Sequence, residues 1–177
     1  GSDWGTELLA LSYSLGLGTK KNNPKAFRLR ISLGEDYSSE ICCELGEHYL
    51  EGKGTPVNLK EANRLIKKAM KLGNGKAHWI AANELQYKDK KQDKKRFNIL
   101  RAAFDLDEPY TLTFNKLASC YFWGDGTEQD FAKARECYER LLEVGSIGAD
   151  EEYARFHLEA LESDDPEAEL DRIVSEI

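Results

Sequence analysis

Histidine is scarce in this chain, and the three present (His48, His78 and His157) never stand at metal-ligand spacing from each other or from a cysteine. That excludes the common zinc signatures, and no metal is expected. No run of apolar residues approaches 18, so no transmembrane helix is expected. No glycine-rich phosphate loop follows a strand, and no nucleophile elbow occurs. Carboxylate pairs such as Glu151-Glu152 and Asp164-Asp165 fall in expected caps and loops, not in the buried setting a general acid needs. No catalytic residue, cofactor or small-molecule substrate is therefore assigned, and the chain reads as a non-enzyme.

The charge is as uneven as it is acidic. The net formal charge is −7. From Gly124 to Ile177 there are 17 Asp and Glu against 5 Lys and Arg, a balance of −12 that leaves +5 for the rest. The basic residues concentrate in Lys88, Lys90, Lys91, Lys94, Lys95, Arg96 and Arg101. Such a run is most simply a solvated surface. With no basic stripe across the chain, nucleic acid is not an expected partner. An acidic C-terminal segment suits a basic protein partner instead.

What the chain does have is repetition. Leu9-Ala10, Tyr13 and Gly16-Leu17-Gly18-Thr19 return as Leu45-Gly46, Tyr49 and Gly52-Lys53-Gly54-Thr55. They return again as Leu117-Ala118, Tyr121 and Gly124-Asp125-Gly126-Thr127. The steps are 36 and 72 residues, so a copy belongs in between. Ala81-Ala82 and Leu85 supply it in worn form, with Lys88-Asp89-Lys90 where the Gly-x-Gly should be. Tyr153-Ala154 and His157 mark a fifth register. A fixed period of this length predicts stacked helix pairs. The Gly-x-Gly ends a first helix, because glycine takes the positive φ that a helix C-terminus favours. Asn58 or Asp130 then caps a second helix, which runs Lys60-Glu61-Ala62 to Leu72-Gly73 in the second copy. In the first copy Pro24 falls in the first turn, where it is tolerated. Gly46, Ala62 and Ala69 imply close helix–helix approach.

These strings resemble the Sel-one-like repeat, the slightly longer relative of the tetratricopeptide repeat. The resemblance is close over Leu45–Gly73 and Leu117–Gly145, fair over Leu9–Gly34, and degraded over Ala81–Leu106, where the second helix fits with its preceding loop shortened by two residues. It implies an all-α fold, a right-handed superhelical solenoid of about five helix pairs. One repeat domain, 1–177, is expected, with repeats at 6–40, 41–76, 77–112, 113–148 and a C-terminal cap at 149–177. Some exported members staple each repeat with a cysteine pair. Here Cys42 stands in the first column but Met70 in the second, and Cys120 and Cys137 lie off the usual columns. Four buried thiols are the preferred reading, and these lean toward a reducing compartment. Gly1-Ser2 resembles a vector remnant, so the cytoplasm and, behind a removed leader, the periplasm both stay open.

The resemblance further implies a non-catalytic module that binds a protein or peptide on its concave face, lined by the first helices. The columns so placed include Glu7, Leu11, Ser14 and Leu15, then Glu47 and Leu50. Trp79, Asn83, Gln86 and Tyr87 follow, and then Asn115, Ser119, Phe122 and Trp123. Trp79, Tyr87, Phe122 and Trp123 with the amides Asn83, Gln86 and Asn115 have the make-up of an anchor site, aromatics ringed by hydrogen-bonding groups. Packing between repeats stands beside this reading for each aromatic. The alternative function is an inhibitor or immunity protein that neutralises a bacterial toxin or secreted effector.

Overall fold

The computed structural model describes residues 2–85, 90–106, 110–145 and 149–175. These residues form ten α-helices and no strand. They are α1 (Asp3–Leu15), α2 (Asn23–Leu33), α3 (Ser39–Glu51), α4 (Leu59–Lys71), α5 (Gly75–Asn83), α6 (Lys90–Phe104), α7 (Leu112–Trp123), α8 (Phe131–Glu143), α9 (Ala149–Ala160) and α10 (Pro166–Ser175).

The repeated residues build the same joint each time. Gly16, Gly52 and Gly124 cap α1, α3 and α7 in the left-handed conformation. Asn22, Asn58 and Asp130 cap the next helix, each side chain accepting from the backbone N–H three residues on, at 3.0–3.1 Å. The backbone N–H of each of these caps also donates to the carbonyl of the repeat tyrosine: Asn22 to Tyr13 (2.8 Å), Asn58 to Tyr49 (2.9 Å) and Asp130 to Tyr121 (2.9 Å). The turn is thus tied back to the helix it leaves, which satisfies donors and acceptors that helix ends otherwise strand.

Two compact units result, Gly1–Ala81 and Ala82–Ile177, with the boundary inside α5. In the first, α3 and α4 meet closely: Gly46 lies where a Cβ would come 2.9 Å from Ile66 Cγ1, and Ala62 and Ala69 are fully buried. Ile41, Leu45, Leu65 and Ile66 fill its core. In the second, Phe114, Phe122, Tyr138 and Leu141 form the centre, with Leu170 and Ile173 of α10 closing it. All four cysteines are buried and unbridged, Cys42 and Cys43 in the first unit, Cys120 and Cys137 in the second.

Candidate functional site

The first helices carry two grooves at equivalent repeat junctions, one in each unit. In the second unit, Arg96, Leu100, Lys116, Ser119, Cys120, Trp123 and Asp125 line a cavity of about 270 Å³. Trp123 stands at its rim, 43 % exposed and packed edge-on against Phe122, with ring centroids 4.8 Å apart. Arg96 is buried and paired with Asp93 one turn earlier. Burial pushes the Cys120 thiol up to about 11, so it sits in the floor as a neutral group.

In the first unit the matching groove measures about 260 Å³ and includes Leu11, Ser14, Leu15, Arg30, Glu44, Glu47 and His48. Its floor is a buried polar network centred on Arg30. The guanidinium donates through Nε to Glu44 and through Nη1 to Ser14 Oγ (2.7 Å) and lies 3.3 Å from His48 Nε2. Arginine cannot accept, so His48 Nε2 is the acceptor; its Nδ1–H therefore donates to the Lys53 carbonyl in the repeat turn. This neutral tautomer agrees with the direction of the His48 pKa, which burial lowers first and the neighbouring Arg30 charge lowers further, against the opposing pull of that carbonyl. Glu47 is joined to Lys76 of α5 at 2.7 Å.

The residues expected to bind separate into distinct environments. Trp123 and Ser119 share the second unit's groove. Phe122 is fully buried among Trp123, Phe131 and His157, so the packing alternative is the one its position matches. Asn115 is also buried; its Nδ2 donates to the Asp150 Oδ1 (2.8 Å) and carbonyl (3.2 Å), tying α7 to α9. Ser119 Oγ donates to the Asn115 carbonyl at 2.9 Å. In the first unit Trp79 and Leu50 are half-buried against the core, and Glu47 lines the groove. Asn83 is exposed. Gln86 and Tyr87 lie outside the described residues.

The histidines serve packing and structure. His78 Nδ1 meets the Asn74 carbonyl at 3.0 Å, and His157 stacks among Phe122, Tyr138 and Tyr153. Among the described residues no group of three or more His, Cys, Asp and Glu could hold a metal. No described helix is long and apolar enough to cross a membrane.

Arg30 is absent from the reading of the sequence, and Arg96, expected there in a solvated basic run, is instead buried against Asp93; each leaves a trace in the repeat columns. Arg30 shares a repeat column with Ile66, Leu100 and Tyr138, and Arg96 shares one with Ala26, Ala62 and Ala134. A lone arginine in an otherwise buried column is the mark of a built polar site.

The Sel1 repeat model matches residues 7–29, 39–74 and 115–146, just over half of the chain. Among solved structures, a Sel1 repeat protein from Oxalobacter formigenes is 23% identical with a TM-score of 0.65, covering 89% of this chain and 63% of that one. A protective antigen of uropathogenic Escherichia coli strains with an SLR fold is 21% identical with a TM-score of 0.69, covering 89% of this chain and 33% of that one. The chain thus spans less than two-thirds of either. Comparison with curated proteins finds no match.

Proposed function

The chain belongs to the Sel1 repeat family, and from that premise we propose that it is an adaptor gripping another protein or peptide on the face of its first helices. Sel1 repeat proteins are generally protein-interaction modules and non-catalytic scaffolds. In this reading the five helix pairs serve as one array and the anchor lies in the second unit. The observation that carries it is the Trp123 groove. A large aromatic is held half-exposed over a cavity lined by the apolar Leu100 and Cys120, with the polar side chains of Ser119 and Asp125 also in its lining. An aromatic at a recess with a polar rim is the composition of interface hot spots.

The test is affinity capture from the source organism's lysate with the wild-type chain, Trp123→Ala, Ser119→Arg and a remote control, Val57→Asp. Val57 and Trp123 are both well exposed, so these variants keep the fold. One stoichiometric partner is expected, weakened by about thirtyfold in Trp123→Ala and lost in Ser119→Arg. Retention of that partner by both groove variants sinks the placement, and the absence of any partner counts against the adaptor reading. The inhibitor reading rests on the −12 balance after Gly124. It requires in addition that the captured protein lose an activity in the complex and that high salt release it.

A further inference from the structure

Helix α1 carries an apolar stripe on the side away from its own core. Ala10 is fully buried, whereas Trp4 (67 %), Leu8 (42 %), Leu11 (39 %) and Leu15 (61 %) are exposed. Their spacing of 4, 3 and 4 residues is that of a coiled-coil seam, which keeps four large side chains in one narrow line. Together they present on the order of 400 Å² of apolar surface, the scale at which an exposed patch marks an interaction site.

The register shows that a preceding repeat covers this stripe only in part: in α3 it reaches Glu44, which pairs with Arg30. One period on, in α3, the equivalent residues are Glu40, Glu44, Glu47 and Glu51. They stay at the surface, exposed or half-buried, although a repeat precedes α3. The α3 residues that the first repeat helps to bury are Ile41 (1 %) and Leu45 (2 %), which correspond to Gly5 and Leu9. The line Trp4–Leu8–Leu11–Leu15 thus lies largely off the face that α3 presents to its preceding repeat, and it stands open in this chain.

We propose that a second copy of the chain covers it, in a two-fold dimer formed by antiparallel packing of α1 on α1. The stripe is self-complementary under that operation. An axis passing between positions 9 and 10 sets Leu8 against Leu11 of the second copy and Trp4 against Leu15, and the reverse, as an isologous contact demands. Antiparallel helices also oppose their dipoles favourably. Of the flanking residues Gly5, Glu7, Ser12 and Ser14, only Glu7 is charged, and it comes opposite Ser14 of the second copy, so close approach sets no like charges together. Leu11 and Leu15 also wall the 260 Å³ groove, giving Trp4 of the second copy a recess at its mouth. The area is about half of the 800 Å² per partner usual for a stable complex, so the dimer is weak and reversible, with a dissociation constant in the micromolar range. This contact uses none of the residues that line the Trp123 groove.

Sedimentation equilibrium from about 1 to about 200 μM tests the idea. The wild type is expected to move from monomer to dimer across that range. Leu8→Asp with Leu11→Asp should raise the dissociation constant more than about tenfold, with helical circular dichroism unchanged because both side chains already face solvent. In oxidising buffer Leu8→Cys with Leu11→Cys should form a covalent dimer, while either cysteine alone should not, the native thiols being buried. A monomer at every concentration overturns the proposal. So does a dimer indifferent to the paired aspartates, or crosslinking by Leu8→Cys alone, which would mean a parallel seam.

Discussion

Gly54 lies so close to Asn23 that a Cβ on the glycine would overlap the asparagine's carbonyl group. Gly126 stands in the same relation to Asp93 in the second unit. The last glycine of the Gly-x-Gly turn thus lets one repeat's turn lie flat on the start of the preceding repeat's second helix. Both residues have φ near +79°, so strain and overlap add. Gly18, in the first copy of the turn, has a similar φ of 68° and nothing within reach of a Cβ. Gly126→Ala and Gly54→Ala should each cost about 3 kcal/mol or more, and Gly18→Ala only about 1 kcal/mol. Urea unfolding monitored by circular dichroism measures the difference; equal losses at the three sites would refute the packing role.

The Arg30 network predicts a different pattern. Arg30 is 4 % exposed and joins Glu44, Ser14 and His48. Arg30→Ala should cost about 3 kcal/mol, since it leaves buried partners unpaired. The protein already holds a different solution to this junction, with the buried arginine one turn earlier at Arg96. Counting from the Asn23 and Asp93 contacts, Leu100 takes the place of Arg30, while Lys116 and Cys120 take those of Glu44 and His48. Grafting all three as Arg30→Leu, Glu44→Lys and His48→Cys should recover most of the loss. A triple variant no more stable than Arg30→Ala would show that the network cannot be exchanged as a unit.

Periodicity made the fold legible and left the sites mostly hidden, for one reason. The tyrosine, the Gly-x-Gly and the Asn or Asp cap define a joint that depends on local backbone geometry, so each copy announces itself. Whether a first-helix residue is open or covered depends on its neighbours in the next repeat. Asn115 has the chemistry of a binding amide and is spent on Asp150. Phe122 sits next to Trp123 in sequence, yet one is core and the other rim. Trp4 and Leu8 fall outside the columns that the resemblance implies, which in the first repeat are Glu7, Leu11, Ser14 and Leu15. The stripe they form is seen only when α1 is laid against the glutamates of α3.

Acid should weaken the fold through its histidines. Burial lowers the pKa of His157 and of His48 below the ordinary 6.5. The unfolded chain therefore takes up protons first, and stability present above about pH 6.5 is lost as pH falls below it, by at most about 1.4 kcal/mol per pH unit for each proton. The Glu35 carboxylate, held at about 2 by hydrogen bonds from Arg64 and Lys68, acts only lower, with its contribution lost as pH falls from about 4.5 toward 2. Buried His157 Nε2 has no hydrogen-bond partner among the described residues, Nδ1 meets the Tyr153 carbonyl of its own helix at 2.9 Å, and the ring lies tilted on Tyr153 and edge-on to Phe122. His157→Phe should then be neutral or up to about 1 kcal/mol stabilising at pH 7, with a shallower loss between pH 7 and 5. Denaturation at stepped pH reads both; an unchanged pH slope would remove His157 from the account.

The thiols give a way to watch each unit open. Burial pushes Cys43 and Cys137 up to about 12 and Cys120 up to about 11, and it raises Cys42 as well. A thiol that is both covered and neutral is a poor nucleophile, so the native protein should resist a disulfide reagent that modifies all four cysteines in denaturant. Labelling in native buffer then requires opening. Cys42 and Cys43 are adjacent in α3 of the first unit, whereas Cys120 and Cys137 lie on the paired helices α7 and α8 of the second. Because stability in a repeat array is distributed among neighbouring repeats, opening should expose these cysteines in pairs, one pair per unit and each at its own rate. Time-resolved mass spectrometry of labelled peptides resolves this. Independent labelling of Cys120 and Cys137 would mean that α7 and α8 separate without cooperation, and a cysteine that labels at the rate of a free thiol would contradict its burial.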